Sequence, residues 1–299
     1  MRTLCLGEAL VDLVCERPVA SLAQADAFVP HFGGATANVA VGAARLGGDG
    51  ELAGGAGDDP WGVWLRDRLR DEGVGLEAFQ LVPGVATALA FVTVDEQGEP
   101  SFLIYGEGIA AGVEALGEDV ADAVERCDAL FFASNTLVGA AERALTLAAR
   151  ERALVLGKPI VFDPNLRLRR WASPARAADA ARGCLRGAFL VKCNRAEAAL
   201  ITAEEDPEAA AASMLAAGAR HVVITLGHDG AMLRGRGLRH DASGVPAEPV
   251  NTTGAGDAFV GVLLARLGPS DFYPPALAAA LPEAVREGAR ATERWGAVS

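Results

Sequence analysis

Apolar positions along the chain follow two rhythms. TLCLG near the N-terminus, and later DALFFAS, KPIVFDPN, AFLVKCN and HVVITLG, are short runs of Val, Ile, Leu and Phe without strict alternation. Such runs predict parallel strands covered on both faces. From about residue 115 onward they alternate regularly with helical stretches. Earlier, GGATANVAVGAARLGG reads as a glycine turn entering a helix of small residues, stopped after Leu46 by Gly47 and Gly48. DDPWGVWLRDRLRDEG reads as an amphipathic helix with Asp58 or Asp59 as N-cap, Pro60 in its first turn and Gly73 at its end. Between residues 76 and 105 the texture changes, and TALAFVTV and PSFLIY become strands joined by the turn DEQGEP.

The pattern predicts one α/β unit over residues 1–299, a doubly wound, mainly parallel sheet. Strands near 10–15 and 87–105 form a small β lid projecting from it. In such sheets ligands bind beyond the carboxyl ends of the strands, which directs attention to Asp12, Ser134, Asp163, Asn194 and Thr225. With 51% hydrophobic and 22% charged residues, the 299-residue chain has ample material for a large core. Its net charge of −12, without a long Lys/Arg run, argues against nucleic-acid or membrane-surface partners. Five cysteines with no C-x-x-C predict reduced thiols in a cytoplasmic protein. Glu8 and Asp12 interrupt what a signal peptide would need. Residues 27–44 carry no formal charge but are broken by Pro30, His31, Gly33, Gly34, Thr36 and Asn38, so no membrane span is expected.

Five segments can carry chemistry. In VNTTGAGDAFVG, Gly254 and Gly256 bring the backbone close to a ligand, and an apolar helix follows at once. Free amides there suit an anion, and Asp257 can accept a proton beside it or merely favour the helix dipole. In FGGATAN, Gly33 and Gly34 expose backbone while Asn38 offers both donor and acceptor, as a polyhydroxylated ligand requires; a simple tight turn is the other reading. In FDPNLRLRRW, Pro164 forces a turn, so Asp163, Asn165 and Arg167 can line a strand-end crevice, with Arg167 clamping an anion or pairing a local acid. In KCNRAE, Asn194 and Glu197 can order water around Mg²⁺ or simply open a helix. TLGHDGA places Thr225, Gly227 and Gly230 at a turn open to phosphate or ribose, or at an ordinary hairpin. Neither a G-x-x-x-x-G-K-[ST] loop nor G-x-G-x-x-G occurs.

Together, GEALVD, FGGATANVAVGAARLG, DPNLR, NRAE, TLGHDGA and NTTGAGDAFVG resemble, in order and over almost the whole chain, the PfkB or ribokinase-like carbohydrate kinases. The resemblance implies ATP-dependent phosphorylation of a sugar hydroxyl with Mg²⁺, and a homodimer built through the lid. It implies that Asp257 is the catalytic base and that the amides of Ala255, Gly256 and Asp257 form an anion hole, with Gly254 in the same catalytic turn. It assigns Asp12, Gly33, Gly34, Asn38, Tyr105 and Arg167 to the sugar, and Asn194 and Glu197 to Mg²⁺ and phosphate, Glu197 acting through water. Thr225, Gly227 and Gly230 fall where the nucleotide binds.

Three departures sharpen the expectation. Asn251 stands where many relatives have an Asp that helps hold a monovalent cation; a carbonyl there still ligates K⁺, but with one charge fewer. EGARATERWGAVS matches the adenine-side helix loosely. The sequence is most similar to fructokinases and 2-keto-3-deoxygluconate kinases, and the lid reads SFLIYGEG, with Gly106 and Glu107 where an arginine would serve an acidic sugar. A carboxylate there favours a neutral sugar, whereas Arg167 can still serve the keto-acid. A sugar-binding regulator without turnover is the third expectation, opposed by the intact Asp257.

Overall fold

The computed structural model describes residues 1–298, the side chain of Glu107 excepted; the expected effect of that carboxylate therefore lies outside the described residues. Nine strands form the larger sheet: β1 (Thr3–Leu6), β4 (Gly50–Gly57), β5 (Phe79–Val82), β8 (Ala129–Ala133), β9 (Ile160–Asp163), β10 (Leu190–Asn194), β11 (His221–Thr225), β12 (Gly230–Gly235) and β13 (Leu238–Ser243). Their spatial order is β13-β12-β11-β10-β9-β8-β1-β4-β5. All neighbours are parallel except the β11–β12–β13 edge.

The unbroken apolar runs are explained by burial on both faces. Cys5, opposite Phe131, points into one core with Val161 and Val223. Leu6, opposite Phe132, points into the other with Phe162, Val191 and Ile224. Chain order reverses at β1, which lies between β8 and β4, so a crevice opens at the carboxyl ends of these strands.

The smaller sheet has the order β3-β2-β6-β7, from β2 (Leu10–Pro18), β3 (Val29–Gly33), β6 (Leu89–Val94) and β7 (Pro100–Tyr105). β3 is an addition to the sequence reading. Its residues VPHFG contain a proline and only partial apolar character, and pairing with β2 from Leu10↔Gly33 to Val14↔Val29 holds them extended. Asp12 is also relocated: it is a mid-strand residue of β2, paired with His31 and Ala90, and not at a strand end of the main sheet.

Asp59 supplies the N-cap of the helix Pro60–Asp71, accepting from the Gly62 amide at 2.8 Å. The same carboxylate accepts from the Thr87 amide and hydroxyl, both at 2.7 Å, immediately before β6. One side chain thus ties the body to the entry of a lid strand. Asp59→Ala is expected to lower unfolding stability by about 2 kcal/mol, combining a lost cap with lost charge-assisted bonds. A denaturant midpoint equal to that of the parent would disprove that tie.

Candidate active site

The helix Ala255–Leu267 begins with Gly254 in the left-handed region at φ 80°. A Cβ at this position would lie 2.5 Å from the Ala297 Cα, so glycine is required for both conformation and space. No side chain caps this helix, so the amides of Gly256 and Asp257 are left at its N-terminus beside that of Ala255, which makes only a long bond of 3.5 Å to the Thr252 carbonyl.

Asp257 sits in the first turn, yet only 4% of it is exposed. Asn38 Nδ2 donates to one carboxylate oxygen at 2.9 Å, and Asn165 Nδ2 donates to the other at 3.1 Å. Burial pushes the Asp257 carboxyl up to about 6, opposed by the Asn38 hydrogen bond and Arg167. Burial pushes Asp12 further, to about 8; Asp257 ionises first, and its charge helps hold the proton on Asp12. A group near 6 is ionised at neutral pH and basic enough to take a hydroxyl proton in a transition state.

Three compartments meet at this helix start. The first is narrow, about 50 Å³, and is lined by Glu8, Asp12, Gly34, Asn38, Asn135, Arg167, Arg170 and Asp257, with Phe102 and Ile104 of the lid on one side. Gly33 backs the Asp12 carboxylate. The middle compartment, about 390 Å³, is walled by Asp163, Asn165, Arg167, Lys192, Asn194, Glu197, Gly254, Gly256 and Asp257. The third, about 340 Å³ and mostly apolar, is bounded by Thr225, Gly227, Gly230, Ala247, Phe259, Val285, Gly288 and Thr292. Asp257 faces the first and middle spaces, and Gly256 the middle and third. A reacting group at Asp257 is therefore contiguous with an anion site, and that site with a cleft suited to a flat apolar ring.

Most residues singled out from sequence converge here; Tyr105 does not. It is 61% exposed on the outer lid face, edge-on to Phe91. Strand alternation turns Phe102 and Ile104 inward and sends Tyr105 out. Asn194 and Glu197 form a reciprocal capping box, the helix-opening reading of N-x-x-E, and Glu197 also accepts from the Leu166 amide at 2.7 Å. Asn251 is fully buried, its Oδ1 accepting from the Thr253 amide at 2.9 Å and its Nδ2 without a partner.

Sequence reasoning missed Glu8, Asn135, Arg170 and Lys192. Glu8 accepts from the Ala35 amide, the Thr36 hydroxyl and Asn135 Nδ2, so it fixes the glycine turn and Asn135 together. A carboxylate directly after a buried strand was the available signal. Lys192, a lone cation inside an apolar strand, was another.

A glycine-turned helix start with a clasped carboxylate, between a polar pocket and an apolar cleft, defines a phosphotransferase site. Residues 2–289 match the pfkB family carbohydrate kinases, and the chain belongs to that family. It is 36% identical over 262 residues to Fructokinase-1 of Oryza sativa subsp. japonica, covering 87% of this chain and 81% of that one. It is 33% identical over 265 residues to the probable chloroplastic fructokinase-6 of Arabidopsis thaliana, covering 88% and 69%. A double mutant of Vibrio cholerae O395 fructokinase, bound to fructose, ADP and potassium ion, superposes with TM-score 0.85 at 29% identity, covering 100% and 94%. Fructokinase from Xylella fastidiosa with bound ATP gives TM-score 0.84 at 27% identity, covering 99% and 94%. The chain is thus an ATP-dependent, fructokinase-like sugar kinase. No helix among the described residues is long and apolar enough to cross a membrane.

Replacing Asp257 by Asn is expected to reduce kcat by about 10³-fold with the far-ultraviolet spectrum unchanged. In the parent, kcat/KM is expected to fall as pH drops through about 6, where Asp257 takes up its proton. An Asn variant of near-normal rate would remove this residue from the base's role.

Proposed function

We propose that this kinase transfers the γ-phosphate of ATP to a hydroxyl of fructose, with Asp257 taking the hydroxyl proton. The observation that carries the proposal is the meeting of three compartments at residues 254–257. The sugar occupies the polar pocket, where Asn38 Oδ1 and Asn135 Oδ1 are buried acceptors without partners, suited to hydroxyl donors. Asp12, held protonated, donates to a sugar oxygen. The pocket's narrowness means that the lid moves outward to admit the ligand and returns to exclude water. The adenine lies in the apolar cleft, and the phosphates reach across Thr225 and Gly227 to the amides of Ala255, Gly256 and Asp257. Those preorganised donors stabilise the charge spread over the transferring phosphoryl group.

Among the described residues, no group of three or more His, Cys, Asp or Glu side chains could hold a metal. The middle compartment nevertheless fits Mg²⁺ held through water and phosphate, because Glu197, Asn194 and Asp163 put oxygen atoms on its wall. When bound there, Mg²⁺ would offset phosphate charge. Asn251 presents a buried amide donor, so potassium ion contributes little. The exposed apolar residues Leu103 and Tyr105 on the outer face of the lid sheet support pairing of two copies through that face.

A second reading, 2-keto-3-deoxygluconate as acceptor, is favoured by Arg167 and Arg170 lining the sugar pocket. The unpartnered carbonyl acceptors and the carboxylates of Glu8 and Asp257 there favour the neutral sugar. ATP consumption across a panel of sugars decides the question, with fructose expected to give the highest kcat/KM. Dominance of the keto-acid would reverse the ranking, and silence from every sugar would sink the kinase reading. Exchange of K⁺ for a large organic cation in the same assay is expected to leave the rate essentially unchanged; strong activation by K⁺ would refute the role given to Asn251.

A further inference from the structure

Lys192 is the least expected residue of the middle compartment. It lies on β10, between apolar neighbours, with only 6% of its side chain exposed. Its ammonium pairs with Asp163 at 2.9 Å. Asp163 is itself held by the Asn165 amide, which donates to its other oxygen at 3.0 Å. Asp163 is the one hydrogen-bond partner of Lys192 among the described residues, although an ammonium carries three donors. The remaining donors face the compartment walled by Gly254, Gly256 and Asp257.

The position of the ammonium is tightly specified. A Cβ built on Gly256 would come 2.7 Å from Lys192 Nζ, so the cation rests against the backbone whose amide closes the anion hole. A buried ammonium with donors left over is costly unless a further acceptor arrives.

Building on the kinase reading above, we propose that Lys192 is a catalytic cation whose free donors engage the γ-phosphoryl group during transfer. In that step the bond from the γ-phosphorus to the sugar oxygen forms as the bond to the β,γ-bridging oxygen breaks. The hydroxyl proton passes to Asp257, ADP leaves with the bridging oxygen's electron pair, and Lys192 stays protonated throughout. Asp163 orients the ammonium, and the absent side chain at Gly256 leaves room for it.

The alternative is that Lys192 only neutralises Asp163. Two variants separate these roles: Lys192→Met, and the double variant Lys192→Met/Asp163→Asn, which leaves no unpaired buried charge. Calorimetric titration of the full chain with ATP and with ADP reads nucleotide binding without any sugar. In both variants ATP is expected to bind about tenfold or more weaker, with ADP affinity nearly unchanged. Turnover is expected to fall in kcat, with the KM for sugar preserved. Equal weakening of ATP and ADP, or recovery of the parental ATP preference in the double variant, would overturn the proposal while leaving the kinase reading intact. Should the single variant fail to fold, the double variant alone decides by the same ATP-to-ADP comparison. Absence of nucleotide binding by the parent chain would overturn the kinase reading, and this inference with it.

Discussion

The structure depends on a buried carboxylate held from two sides. Asp257 is gripped by Asn38, 219 residues away in sequence, and by Asn165, 92 residues away. Each amide satisfies one oxygen of a group that burial would otherwise drive toward its neutral form. The compromise produces a base that is ionised at neutral pH yet more basic than an exposed aspartate. It also demands that three distant segments meet within hydrogen-bond distance, which the fold must guarantee.

Close helix packing supplies that guarantee. Gly42 on the helix Ala35–Arg45 and Gly261 on the helix Ala255–Leu267 face each other, with the ideal Cβ of Gly261 only 3.0 Å from the Gly42 carbonyl carbon. Side chains there would push the helices apart and carry Asn38 away from Asp257. The small residues in ANVAVGAA and DAFVGV thus set the distance at which Asn38 meets Asp257. Asn165 reaches the same carboxylate from the loop after β9, in a left-handed conformation at φ 39°, which asparagine tolerates better than most residues.

Much of this was legible in the sequence because parallel strands buried on both faces leave continuous apolar runs, and because glycine-rich turns sit at their ends. Asp257, Gly254 and Asn38 could be singled out on those grounds. β3 could not, since VPHFG acquires strand character only by pairing with β2. Tyr105 was misplaced because a strand's alternation was not carried through to its last residue; once Phe102 and Ile104 face the pocket, Tyr105 must face solvent. Glu8 and Lys192 each stand beside or within a buried strand, where a charge has no local purpose. Their partners lie on other segments, and only tertiary structure brings these together.

The electrostatics of the site also resolve an apparent conflict between an acidic chain and a polyanionic ligand. A net charge of −12 repels ATP at long range, yet each carboxylate of the site is already committed. Glu8 is occupied by three donors, Glu197 by the amides of Asn194 and Leu166, Asp163 by Lys192 and the Asn165 amide, and Asp257 by two asparagines. Asp12 carries its proton. What remains unspent is positive: the amides of Gly256 and Asp257, the Arg167 guanidinium stacked over Phe102, and the donors of Lys192 beyond the one given to Asp163. A phosphate at this point meets free donors beside carboxylates that already accept hydrogen bonds from other groups. The sign of the local field is therefore set by which groups are already satisfied, and not by the sum of charges over the chain.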